Sequence, residues 1–143
     1  MATAADAEVV LRLYGLRQEE TLRKARKFLT FDFDPNNVDE LRAVSRARGT
    51  QENAYWRQAI SYWEMAATLV LRGAVDVDLF LDSNVEGILL YAKYHHFHKD
   101  TEAQNGPFMR NTAALIEKYP SAKARYEAIL KSFAGRQAEI AKA

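Results

Sequence analysis

Residues 51–72 read Gln51-Glu52-Asn53-Ala54-Tyr55-Trp56-Arg57-Gln58-Ala59-Ile60-Ser61-Tyr62-Trp63-Glu64-Met65-Ala66-Ala67-Thr68-Leu69-Val70-Leu71-Arg72, and this stretch decides the fold. Trp56, Ala59, Ile60, Trp63, Ala67 and Val70 recur at three- and four-residue spacing, the signature of an apolar helix face. Tyr55, Tyr62 and Leu69 widen that face sideways. At about 100° per residue the apolar arc covers more than half of the circumference. A helix of this kind packs against neighbours on several sides. At ~1.5 Å per residue it is about 33 Å long, enough to cross a small domain.

The segments on either side are helical too. Six glycines and three prolines sit at the edges of periodic segments. The one alternating window, Phe31-Asp32-Phe33-Asp34, runs straight into Pro35 and reads as a loop. Towards the N-terminus, one helix is predicted over Asp6–Leu29, with Gly15 as a weak point where it can bend. A connector over 30–37 leads to a short helix over Pro35–Arg48, with Asp34 as cap and Pro35 at the first position. Gly49 ends that helix and Gly73 ends the central one. Asp76 then opens a short turn or helix through Leu79, Phe80 and Leu81. Ser83-Asn84-Val85-Glu86 reads as a capping box for a helix that reaches about Lys99, with Val85, Ile88, Leu89, Ala92 and His96 inward. Asn105-Gly106-Pro107 breaks the chain before a helix over Pro107–Tyr119. A last helix begins at Ser121, with Tyr126, Ile129, Leu130, Phe133 and Ile140 apolar, and its uncapped end is expected to fray.

The expected architecture is therefore all-α, one domain over residues 1–143, a bundle of five to six helices around residues 51–72. The chain has 143 residues, 48% of them hydrophobic and 27% charged, which suits a single globular domain. Cysteine is absent, which excludes disulfides, thiolate metal sites and a cysteine nucleophile. The start, Met1-Ala2-Thr3-Ala4-Ala5-Asp6, lacks the basic and apolar regions of a signal peptide. The longest strongly apolar run, Met65–Leu71, is far short of the ~20 residues a membrane span needs. A cytoplasmic protein without membrane insertion is expected.

The net charge is +1 but unevenly placed. Residues 1–30 hold six Lys/Arg against four Asp/Glu, and residues 111–143 hold six against three. Residues 73–90 hold four acids (Asp76, Asp78, Asp82, Glu86) and no base. The run Arg23-Lys24-Ala25-Arg26-Lys27 could contact phosphates, but it follows Glu19 and Glu20 and suits an ordinary solvated face. Nucleic acid is a less favoured partner for so small a net charge.

Candidate sites are few. His95, His98 and Glu102 would share one side of a continued helix and could hold zinc or iron. Histidines near a helix C-terminus also serve its dipole. Neither a Glu-x-x-His nor a His-Glu-x-x-His pair is present, so the metal reading is disfavoured and no cofactor is expected. Asp32, Asp34 and Asn36 open like a calcium loop, but Ala43 stands where the bidentate Glu belongs. Glu64 lies on a narrow polar strip with Arg57, Ser61, Thr68 and Arg72. Glu64, Arg57 and Arg72 could face a ligand; a solvated strip explains them more simply. Glycine-rich phosphate loops, nucleophile elbows and kinase signatures are missing, so no reaction class is supported.

Ser61-Tyr62-Trp63-Glu64-Met65 through Arg72-Gly73-Ala74-Val75-Asp76-Val77-Asp78-Leu79-Phe80 resembles bacterial helical families known only as domains of unknown function. In these a long aromatic helix precedes a Gly-x-hydrophobic-Asp turn and a Leu-Phe-rich short helix. The resemblance implies a bacterial helical domain, soluble or membrane-tethered, and carries over no catalytic residue. The resulting reading is a non-enzymatic interaction or scaffold module. A homodimer is expected through Tyr55, Tyr62, Leu69, Tyr91 and Tyr94, which regular helices would point away from the Trp56–Trp63 face. The alternatives are a bundle that binds a small ligand or metal through His95, His98 or Glu64, and a nucleic-acid-associated protein that uses the basic first helix.

Overall fold

The structure, a computed structural model, describes residues 1–142. Its described residues form nine α-helices: α1 (Ala4–Arg17), α2 (Glu20–Lys27), α3 (Val38–Ser45), α4 (Gln51–Leu71), α5 (Val77–Ser83), α6 (Glu86–Tyr94), α7 (Glu102–Asn105), α8 (Arg110–Lys118) and α9 (Pro120–Lys142). A π-helical turn, Phe28–Asp32, continues α2, and two 3₁₀ turns, His95–Phe97 and Lys99–Thr101, lead from α6 to α7.

The central helix forms where the sequence places it. Thr50 caps it by accepting the Asn53 N–H, and its eight buried residues include Trp56, Tyr62, Trp63 and Val70. α2, α3, α6 and α8 all pack against α4, α9 lies against α5, α6 and α8, and α1 rests on α2 and α5. Gly87 lets α6 close on α4: a Cβ there would lie 3.2 Å from the Trp63 Cβ.

Several boundaries move, each for a local reason. The predicted first helix divides at Gln18 and Glu19 rather than bending at Gly15. The Glu19 carboxylate accepts from Thr21 N (3.0 Å) and Leu22 N (2.9 Å), so it caps a new helix. In the next helix Asn37, not Asp34, is the cap; it takes Glu40 N at 2.9 Å while Glu40 reaches back to Asn36 N. The predicted Ser83 capping box does not form. Ser83 ends α5 by donating to Leu79 O, α6 starts without a side-chain cap, and Glu86 turns inward to other partners. That helix stops at Tyr94 rather than Lys99. α8 begins at Arg110 after Met109, which is left-handed (φ 46°) with its side chain buried in the core. The last helix starts at Pro120, one residue earlier than expected, and runs to Lys142.

Candidate functional site

The polar strip on α4 divides: Arg57, Ser61 and Arg72 are exposed, whereas Glu64 is half-buried and finishes another helix. The Glu64 carboxylate accepts from Asn111 N (2.9 Å), Thr112 N (2.9 Å) and Thr112 Oγ1 (2.8 Å). These are the second and third N–H groups of α8, whose own cap residue, Met109, offers no side-chain acceptor. Glu64 thus performs from a different helix the task of an N-cap, and its charge suits the positive end of α8. Asn53, fully buried, donates to Val44 O (2.9 Å) and Ser45 O (3.0 Å) at the C-terminus of α3, and Arg57 holds Asn53 in place at 3.0 Å. Arg72 is the exposed C-cap of α4. Glu64, Arg57 and Arg72 therefore do not converge.

A second polar cluster joins four elements. Glu86 receives Arg26 Nε (2.7 Å) and Nη2 (3.3 Å), Thr30 Oγ1 (3.3 Å) and the Trp63 indole N–H (3.0 Å). Arg26 and Glu86 are only 18% and 17% exposed, so this charge-assisted pair is shielded from solvent. Beside it, Lys93 and Tyr94 on α6 close the π turn. Lys93 Nζ donates to Leu29 O and Thr30 O, and the Tyr94 hydroxyl donates its one proton to Leu29 O, with Phe33 O 3.1 Å away. The carbonyls freed by the wider π pitch thereby find donors.

The three proposed metal ligands are occupied differently. His95 Nε2–H donates to Glu102 Oε1 at 2.6 Å, and the His95 ring stacks on Tyr91. His98 Nδ1–H donates to Tyr94 O, and its ring lies flat on Phe108, 4.1 Å between centroids. Burial holds the His98 pKa below the usual histidine value. Among the described residues, no three His, Cys, Asp or Glu side chains are grouped to hold a metal ion. Asp32 and Asp34, read as the start of a calcium loop, pair with Lys27 and Lys93.

The basic run is largely neutralised within the chain. Lys24 pairs with Glu20, Arg26 with Glu86 and Lys27 with Asp32. Of the five residues expected at an interface, Tyr62, Tyr91 and Tyr94 are buried by the chain's own helices, which corrects their placement on an outer face. The correction has a simple cause. Tyr62 lies where α1 and α2 meet α4, with its hydroxyl on Leu13 O, and Tyr91 and Tyr94 face Phe108 and Trp56 from α6. Tyr55 and Leu69 are half-buried, Tyr55 against Phe28.

A void of about 10 Å³ beneath Trp63, Asn84 and Thr112 has room for about one water. A surface groove of about 360 Å³ runs between α1, α2 and α4. Leu22 and Tyr62 line it, and Leu16 and Met65, 53% and 43% exposed, stand beside them with Glu19 and Ser61. The Tyr62 hydroxyl donates to Leu13 O and fixes α1 to this side of α4.

The model of a family described as a domain of unknown function, DUF4760, matches residues 2–119. The chain belongs to the DUF4760 family. No curated protein and no solved structure matches it. The DUF4760 domain contains the Ser61–Phe80 stretch that carries the sequence resemblance, and also the groove and the Glu86 cluster. Among the described residues, no helix of this DUF4760 protein is long and apolar enough to cross a membrane. Sequence reading of the DUF4760 chain missed Glu86 as a hub. The available signal was regional: residues 1–30 carry an excess of base and residues 73–90 only acids, and the two stretches meet at Arg26–Glu86.

Proposed function

We propose that this protein is a non-enzymatic interaction module that self-associates through the groove between α1, α2 and α4. The exposed pair Leu16 and Met65 at the groove carries this reading. Each side chain is a projecting apolar group beside an apolar recess, so one copy supplies both the knob and the hole that a two-fold mate needs. The neighbouring surface holds both signs of charge, with Arg12 one helical turn before Leu16 and Glu19 at the start of α2. A second copy can set Arg12 against the first copy's Glu19, which favours a like partner over a strongly charged one. The groove, with Tyr62 on it, replaces the wider aromatic face expected from the sequence.

Light scattering on a size-exclusion column tests the reading. Twice the 16.3 kDa chain mass is expected at micromolar concentration, with Leu16→Glu and Met65→Glu each returning the single mass. Both positions are exposed, so the variants keep the fold. A single mass at every concentration, or a dimer indifferent to both substitutions, would overturn it.

A further inference from the structure

α9 covers one face of the bundle, and the rest of the molecule holds it lightly. It follows α8 after one residue, Tyr119, and begins at Pro120, immediately beyond the family match that ends at 119. Of its 23 residues only Ala122 is buried. Tyr126 meets the Tyr91 ring at 5.5 Å, Ile129 packs on the edge of the core, and Phe133 is half-buried. One ion pair, Arg125 Nη2 to Asp82 Oδ1 at 2.6 Å, is open to solvent on both sides. Every described residue after Phe133 is exposed.

Ala122, Tyr126, Ile129 and Phe133 follow the spacing i, i+4, i+7, i+11, the way an amphipathic helix lies in a groove. A helix with so few buried contacts opens at a lower free energy than the core it covers. We propose that α9 is a displaceable strap, occupying in cis a docking face built by α5, α6 and α8, and that its opening presents this face to an amphipathic helix of a partner. α9 itself is the template for that partner. A small residue fits the Ala122 position, which is fully buried. An aromatic residue one turn on meets Tyr91, an aliphatic one follows, and a cation three residues after the small one meets Asp82. The strap shares no residue with the groove proposed for self-association, so either can fail alone.

Hydrogen exchange on the full chain, read by mass spectrometry, tests the strap. Amides of 123–133 are expected to exchange about tenfold faster or more than those of 59–70 in α4. Arg125→Glu should speed α9 further and leave α4 unchanged. A common rate for both helices, in wild type and in Arg125→Glu, would overturn the strap. A labelled peptide of residues 120–142 tests the face beneath it. It should bind the Arg125→Glu chain about tenfold more tightly than wild type, because the loosened strap competes less. Binding to neither chain, or equally to both, would overturn the docking face.

Discussion

Glu64 leaves a measurable trace if its carboxylate caps α8. Glu64→Ala strips two N–H groups of their acceptor, and the expected cost is about 1–2 kcal/mol in urea unfolding. Glu64→Gln retains one acceptor oxygen and should lose less. A stability equal to wild type in Glu64→Ala would show that water serves those N–H groups equally well. Gly87 is sensitive in the opposite direction, through crowding. A methyl group there presses on the Trp63 Cβ at 3.2 Å, and Trp63 cannot retreat freely because Glu86 holds its indole N–H. Gly87→Ala should therefore destabilise by about 1–3 kcal/mol. An unchanged or higher melting temperature would mean that α6 moves away from α4 at no cost.

The His95–Asn105 stretch is an element without a long helix of its own, held by His95–Glu102 and by the His98–Phe108 stack. Burial lowers the pKa of His98 in the folded chain. The unfolded chain then binds more protons at mildly acid pH. This stability is fully present above the ordinary histidine value of about 6.5 and is lost as pH falls through the lower folded value. His98→Phe keeps a ring to stack on Phe108 and should flatten the decline of the urea midpoint between about pH 6.5 and 5. The same slope in wild type and variant would exclude His98 as its source. The sequence indicates helices here because helical spacing continues to Lys99, but two successive 3₁₀ turns break the register, and side-chain pairing across the turns stabilises that break. The Ser83 box fails for a related reason. The local pattern is correct, yet Glu86 gains three partners from α2, the π turn and α4, more than an exposed N–H could offer.

The whole bundle rests on aromatic side chains with polar tips, and that sets its alkaline limit. Burial pushes the Tyr62 and Tyr91 hydroxyls up to about 12, and Tyr94 further upward. The folded chain thus favours neutral tyrosines. Its stability is complete below the ordinary value near 10 and falls as pH rises above it. Cooperative unfolding between about pH 10 and 12, with tyrosinate absorbance rising as helical circular dichroism is lost, is the expected outcome. Ionisation of all seven tyrosines near pH 10 with the helices intact would contradict the enclosed positions of these three.

By itself the sequence determined the all-α class, the span of the central helix to within one residue and its burial, because apolar periodicity is a local property that any packing must respect. It also marked Glu64, His95, His98 and Glu102 as unusual. Tertiary structure alone decided what they do. Glu64 meets α8 across 47 residues of chain, Arg26 meets Glu86 across 60, and Tyr62 meets Leu13 across 49. No periodicity encodes such pairings. They depend on which helix ends lack donors or acceptors once the core has closed, and a buried polar group takes whichever partner the packing brings within reach. The groove between α1, α2 and α4 arises in the same way: Glu19 breaks the first helix locally, and the recess lies where the two pieces meet Tyr62 of α4.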